Sequence, residues 1–249
     1  MIKRDQTKKY FFNHPETWDQ MNQGRFEREP QFLAQIFQKY GNVKDVLDVG
    51  CGSGSHLARL GKFGMTGMGV DLNPKMIAFA RRTYPKLSFE LKDMRSLTFR
   101  NRFDAVICLC TTFTYNTTNI DVVSALRGFH RALRSGGVLV IDLFNAISFI
   151  QKREFKEKME LDYSEVGLRS ELEHQIDEKA QLLIAKQTTF RLEDNKKVDV
   201  YTTAYRLFFP QEMRYFLETT GFEFLDFYGS FDLGDKQLGG PRMIVVARK

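Results

Sequence analysis

Cysteine is scarce: the 249-residue chain has 3, at Cys51, Cys108 and Cys110, and they form no CxxC pair and no Cys/His ligand spacing. That pattern excludes a disulfide scaffold, gives no basis for a structural zinc site or a thiol redox pair, and leads us to expect no bound metal. Proline is also sparse, at 6 residues, and no low-complexity or repeated segment occurs, so a disordered or fibrous chain is excluded as well. Nowhere do roughly 18–20 uninterrupted apolar residues, the length that spans a bilayer, follow one another. The opening MIKRDQTKK lacks the apolar core of a signal peptide. A soluble, cytoplasmic protein with no membrane contact is the expectation.

What is present suits a packed domain. Hydrophobic residues make up 43% of the chain and phenylalanine alone contributes 23. The net charge of +6 hints at nucleic acid. Its distribution weakens the hint: residues 41–150 carry 14 basic against 8 acidic side chains, whereas 151–180 carry 6 against 9. A polyanion approaching past the second stretch meets the wrong sign, so nucleic acid is not the expected partner.

From residue 46 short β-branched runs (VLDVG, GMGVDL, LSFELKD, FDAVICL, GVLVIDLF) alternate with helical patterns such as PKMIAFARRTY and DVVSALRGFHRALRSGG. Near-continuous apolar strands separated by helices describe a parallel sheet covered on both faces, with ligands at the carboxyl ends of the strands. The fold class expected is α/β: a Rossmann-like, doubly wound, seven-stranded sheet. Residues 168–208 instead alternate with period 2, Leu168, Leu172, His174 and Ile176 sharing one face, and predict three antiparallel strands. We therefore divide the chain into an N-terminal helical flap (1–40), a core (41–150 and 209–249) and an inserted antiparallel β lid (151–208). Pro30 is expected to open the flap's main helix, with Phe32, Leu33, Ile36 and Phe37 on its inner side.

Asp48-Val49-Gly50-Cys51-Gly52-Ser53-Gly54 follows the first strand and opens a helix. Glycines there permit positive φ and let a ligand lie against bare backbone. The spacing G-x-G-x-G is not the G-x-G-x-x-G of a dinucleotide site, which argues against a pyrophosphate ligand. Asp71 ends the second strand, where a carboxylate can accept both hydroxyls of a ribose. Lys92-Asp93-Met94 ends the third, where an acid and a backbone N–H can read an adenine edge. An amino-acid cradle, a ribose clamp and an adenine reader outline S-adenosylmethionine.

With VLDVGCGSG, GVDLNPKMIAFAR, KDM, FDAVICL and LRSGGVLVIDLF in sequence order, the chain resembles class I S-adenosylmethionine-dependent methyltransferases over about residues 44–145. The lid and the aromatic N-terminal segment resemble the small-molecule branch that includes glycine N-methyltransferase and nucleotide-sugar N,N-dimethyltransferases. The resemblance implies that Gly50 and Gly52 lie under the methionyl part, that Asp48 approaches its amino group, and that the backbone at Leu109 faces the same ammonium. It further implies that Asp71 holds the ribose, that Leu72 and Met76 flank the adenine, and that Asp93 and Met94 read its edge. Arg25 stands where an upstream arginine pairs with the cofactor carboxylate, and Tyr10 of the flap joins the cofactor-binding set.

The acceptor side is less determined. His174 on the lid's apolar face and His14 of the flap are candidate general bases, or else ordinary packing and turn residues; Tyr115 either orients an acceptor through its phenol or packs its loop. The activity implied is methyl transfer from S-adenosylmethionine to nitrogen or oxygen of a small-molecule acceptor, by a monomer or homodimer. The alternatives are an RNA or protein methyltransferase and a non-catalytic cofactor-binding protein.

Overall fold

The computed structural model describes residues 10–152 and 155–249, apart from the side chains of residues 25 and 26. Three helices, α1 (Tyr10–Asn13), α2 (Pro15–Met21) and α3 (Gln23–Tyr40), lead into the core. There follow β1 (Asp45–Val49), α4 (Ser55–Leu60), β2 (Thr66–Asp71), α5 (Pro74–Thr83), β3 (Ser88–Leu91), β4 (Phe103–Cys108), α6 (Asn119–Ala132) and β5 (Leu133–Phe144). Next come β6 (Lys158–Tyr163), β7 (Leu168–Asp177), β8 (Leu182–Arg191) and β9 (Lys197–Arg206), and the chain closes with α7 (Pro210–Thr219), β10 (Glu223–Tyr228) and β11 (Arg242–Arg248).

The core sheet has seven strands in the order β10-β11-β5-β4-β1-β2-β3. Neighbours from β5 to β3 run parallel, and β11 is antiparallel to both β5 and β10. The strand order reverses between β1 and β4, which opens a crevice at the carboxyl ends of those strands. Alternate residues of each strand feed two separate cores. Leu47, Val49, Val106 and Cys108 face α6 and α7, where they meet Leu126, Phe129, Met213 and Leu217. Val46, Ala105 and Ile107 face α3, α4 and α5, where Leu33, Phe37, Leu57 and Ile77 cover them. Burial on both faces explains why these strands read as unbroken apolar runs; each fully buried large side chain contributes roughly 1.5–3 kcal/mol.

The inserted lid is a separate antiparallel sheet, β6-β7-β8-β9. It has four strands, not three. The additional one, β6, pairs Met159 with Leu172 and Leu161 with Ser170, and its alternation is only half-buried, with Lys158, Glu160 and Asp162 exposed between the apolar residues. A six-residue amphipathic edge strand in an acidic stretch is a weak period-2 signal. The flap differs too: α3 begins at Gln23, and Pro30 lies inside it. Packing of Phe32, Leu33, Ile36 and Phe37, all nearly inaccessible, outweighs the backbone bond that the proline forgoes. Among the described residues no helix is long and apolar enough to cross a membrane.

Candidate active site

A cavity of about 250 Å³ opens at the strand-order reversal. Its floor is the turn between β1 and α4. Gly50 (φ 75°) and Gly52 (φ 53°) hold it in left-handed conformation, and the N–H groups of Gly50 and Cys51 donate to the Val70 carbonyl (2.7 and 3.0 Å). A β-carbon on Gly50 would lie 2.3 Å from the Thr112 methyl. Only glycine fits there.

Asp71, at the end of β2, accepts from the Gly52 N–H (3.0 Å) and the Asn73 N–H (2.8 Å). Burial raises its carboxyl pKa, against the pull of those backbone bonds. Asp93, after β3, is bound by the guanidinium of Arg95, which holds its carboxyl below the usual range despite partial burial. Gly50, Gly52, Asp71, Leu72, Met76, Asp93, Met94 and Tyr115 all border the cavity.

Asp48 and Leu109 stand behind this wall rather than in it. Asp48 is buried at the end of β1, and its Oδ2 has no hydrogen-bond partner. Burial pushes its carboxyl up to about 7; the nearby charges of Asp71 and Glu29 push the same way, and His56 opposes them. The carbonyl of Leu109 accepts the Thr112 N–H at 3.0 Å.

The remaining candidates are placed elsewhere. Tyr10 donates its N–H to Asp199 of β9 (2.9 Å) and stacks on His14 at 4.0 Å, tying flap to lid. His14 is exposed and donates from Nδ1 to the Tyr10 carbonyl. His174 donates from Nδ1 to the Lys156 carbonyl (3.0 Å), in the segment that leads into β6, while Ile176 on the same face packs with Ala146, Phe149, Leu183 and Leu207. None of these three borders the cavity. The side chain of Arg25 lies outside the described residues.

Several lining residues escaped the sequence reading. Phe12 and Trp18 bring the flap over the glycine turn, the Trp18 Nε1 lying 3.6 Å from where a Gly52 β-carbon would be. Asp19 fastens it there by accepting from Ser53 Oγ (2.7 Å) and Ser55 Oγ (2.5 Å). From the lid, Tyr205 sets its ring 5.1 Å from that of Tyr115, their hydroxyls 3.5 Å apart. Desolvation drives the Tyr115 phenol well above its ordinary pKa, so it stays protonated and able to donate. The alternation Tyr201, Thr203, Tyr205 along β9 was the available signal for this inner face. Glu29 of α3 accepts from His56 Nε2 at 2.6 Å, and Cys110 brings a third donor atom within 4.8 Å of the pair. The Arg242 guanidinium, 3.9 Å from Glu29, already supplies a cation to this cluster.

Residues 46–137 match the model of a methyltransferase domain family. Over 131 residues the chain is 30% identical to dTDP-3-amino-3,6-dideoxy-alpha-D-glucopyranose N,N-dimethyltransferase of Streptomyces fradiae, covering 51% of each protein. It is 28% identical to glycine/sarcosine N-methyltransferase of Aphanothece halophytica, over 96% of this chain and 89% of that one. The chain spans about half the length of the first curated relatives it matches. Among solved structures, a S-adenosylmethionine-dependent methyltransferase from Clostridium acetobutylicum superposes with a TM-score of 0.80 at 15% identity, covering 93% of this chain and 95% of the other. The S-adenosylmethionine-bound amino pentose methyltransferase CalS10 from Micromonospora echinaspora superposes with a TM-score of 0.74 at 21% identity, covering 93% and 95%. The chain thus has the fold of S-adenosylmethionine-dependent methyltransferase structures, and its residues 46–137 carry the similarity to the methyltransferase domain family.

Proposed function

We propose that this protein transfers a methyl group from S-adenosylmethionine to a nitrogen or oxygen of a small metabolite, in the cytoplasm, as a monomer or homodimer. One observation carries the reading: the cavity runs from the glycine turn past Asp71 and Asp93 to the Tyr115–Tyr205 pair, roofed by flap and lid. The relatives named for amino sugars and for glycine and sarcosine both methylate nitrogen, which favours an amine.

The residues suit the cofactor. The bare backbone of Gly50 and Gly52 leaves room that a β-carbon would fill, and the unpartnered Oδ2 of Asp48 supplies negative charge toward an ammonium. Asp71 has acceptor capacity for a ribose. Asp93, although bound to Arg95, keeps lone pairs for an exocyclic amine. When bound, the cofactor supplies a methyl group activated by its sulfonium. The chain's own contribution is then positioning. Tyr115 and Tyr205 orient the acceptor by hydroxyl and ring, and Thr111 and Thr112 shape the turn beside it. Phe12, Trp18 and the lid exclude water. With His14 and His174 off the cavity and His56 Nε2 held by Glu29, we assign no general base.

Trp18 is the chain's single tryptophan and faces the glycine turn, so its emission reports on the site. Titration with S-adenosylhomocysteine is expected to change that emission saturably; absence of saturable binding by both it and S-adenosylmethionine would defeat the reading. Asp71→Ala should weaken binding by about 1–3 kcal/mol through lost hydrogen bonds to a charged acceptor, and an unchanged dissociation constant would remove Asp71 from the ribose site. Transfer from labelled S-adenosylmethionine to a panel of amino sugars and small amines then identifies the acceptor.

A further inference from the structure

Immediately after β4 the backbone does something costly: Cys110 (φ 51°) and Thr111 (φ 55°) are consecutive non-glycine residues in the left-handed region. Each such residue is strained and persists only where its surroundings hold it. The restraint is visible. The Thr111 N–H donates to Asp142 Oδ2 at 3.2 Å, and Asp142, on β5, is fully buried. Arg242 of β11 donates to the same carboxylate at 3.0 Å. On its other side the turn is braced by Thr112 against Gly50, where no β-carbon could be accommodated. The turn is thus gripped between the sheet and the cofactor loop, and from it Cys110, Thr111, Thr112 and Tyr115 reach the cavity. Asp142 and Arg242 do not border the cavity.

We propose that Asp142 and Arg242 are positioning residues, their ion pair holding the Cys110–Thr111 turn in its left-handed form so that Thr111, Thr112 and Tyr115 face the methyl acceptor. The assignment of these side chains to an acceptor rests on the proposed methyl transfer; the restraint itself does not. Arg242 also approaches Glu29 of α3, which bonds His56 at the start of α4, so the same guanidinium links the acceptor turn to the helix that follows the cofactor loop.

The test replaces the pair by apolar residues, Asp142→Val with Arg242→Met, which leaves neither partner of the pair as a lone buried charge, while Glu29 keeps its bond to His56; such exchanges are often neutral for folding. Amide hydrogen exchange is read in the absence of any ligand. Exchange across Thr111–Tyr115 is expected to accelerate at least tenfold while β4 and β5 keep their protection. With an acceptor found in the panel, kcat/KM should fall on the order of 10–100-fold, as small misplacements do. The S-adenosylhomocysteine dissociation constant should change less than kcat/KM. Introducing Thr111→Gly, which takes the left-handed conformation without strain, should shrink the effect of the double substitution relative to Thr111→Gly alone. Unchanged exchange at Thr111–Tyr115 in the folded variant overturns the proposal, and so does a uniform loss of protection across the sheet. If the double variant does not fold, Asp142→Asn is read in the same way, with the same pattern expected at smaller amplitude. Failure of the wild-type protein to bind S-adenosylhomocysteine would sink the methyltransferase reading instead, leaving the exchange result to stand on its own.

Discussion

Asp48→Asn is expected to make the protein more stable at pH 8 while weakening its hold on the cofactor. The wild-type carboxyl is pushed up to about 7, chiefly by burial, with the charges of Asp71 and Glu29 adding and His56 opposing. An unfolded aspartate titrates near 3.9. Between about pH 4 and 7, therefore, the unfolded chain has released this proton and the folded chain retains it, so stability falls as pH rises through that window. The loss is complete above pH 7 and amounts to on the order of 4 kcal/mol at most. Asparagine cannot ionise, and the difference between variant and wild type should grow from pH 5 to pH 8, as urea unfolding at both values would measure. Cofactor affinity should fall at least tenfold because the negative charge buried behind the glycine turn is then lost. For the wild type, S-adenosylhomocysteine binding should weaken as pH drops below about 7, where the carboxyl takes up a proton that the ligand must displace. A stability gap equal at both pH values would show that Asp48 is not the group responsible.

That a carboxylate is kept in a place it destabilises is itself informative about legibility. The seven core strands and the ends of β1, β2 and β3 could be read from sequence because each is a local pattern: an apolar run, a glycine turn, an acid at a fixed offset. Gly50, Gly52, Asp71 and Met94 border the cavity for that reason. Trp18 and Asp19 could not be read, since what fixes them over the glycine turn is a tertiary match between an otherwise ordinary helix and the hydroxyls of Ser53 and Ser55. His174 illustrates the converse. Its period-2 face was read correctly as one face, but on that face Ile176 packs with Phe149 and Leu207 while the imidazole meets the Lys156 carbonyl. Periodicity tells which residues share a face, not what lies opposite. Tyr205 lies on a face of the same kind, and the fold happens to set it against Tyr115.

Gly50→Ala should cost more than any other single methyl in the site, and for two separable reasons. At φ 75° an alanine carries the left-handed penalty, roughly 1–2 kcal/mol. Its β-carbon would also stand 2.3 Å from the Thr112 methyl, an overlap that forces displacement at a typical cost of about 1–3 kcal/mol. The loop cannot simply retreat, because the Gly50 and Cys51 N–H groups are both bonded to Val70 at the end of β2. Either the protein loses a large part of its stability or the acceptor turn is driven away from the loop, and in the second case S-adenosylhomocysteine binding should fall at least a hundredfold. Thr112→Ser removes the obstructing methyl and leaves the hydroxyl. In the Gly50→Ala background it should therefore return most of the steric part of the loss, the Thr112 β-carbon and hydroxyl remaining at 3.1 Å, and none of the backbone part. Urea unfolding and ligand titration of the two single variants and the double variant measure the coupling, expected at about 1 kcal/mol or more for groups in direct contact. Strictly additive effects would show that Thr112 is not what excludes a side chain from position 50, and that the cofactor loop and the acceptor turn are positioned independently.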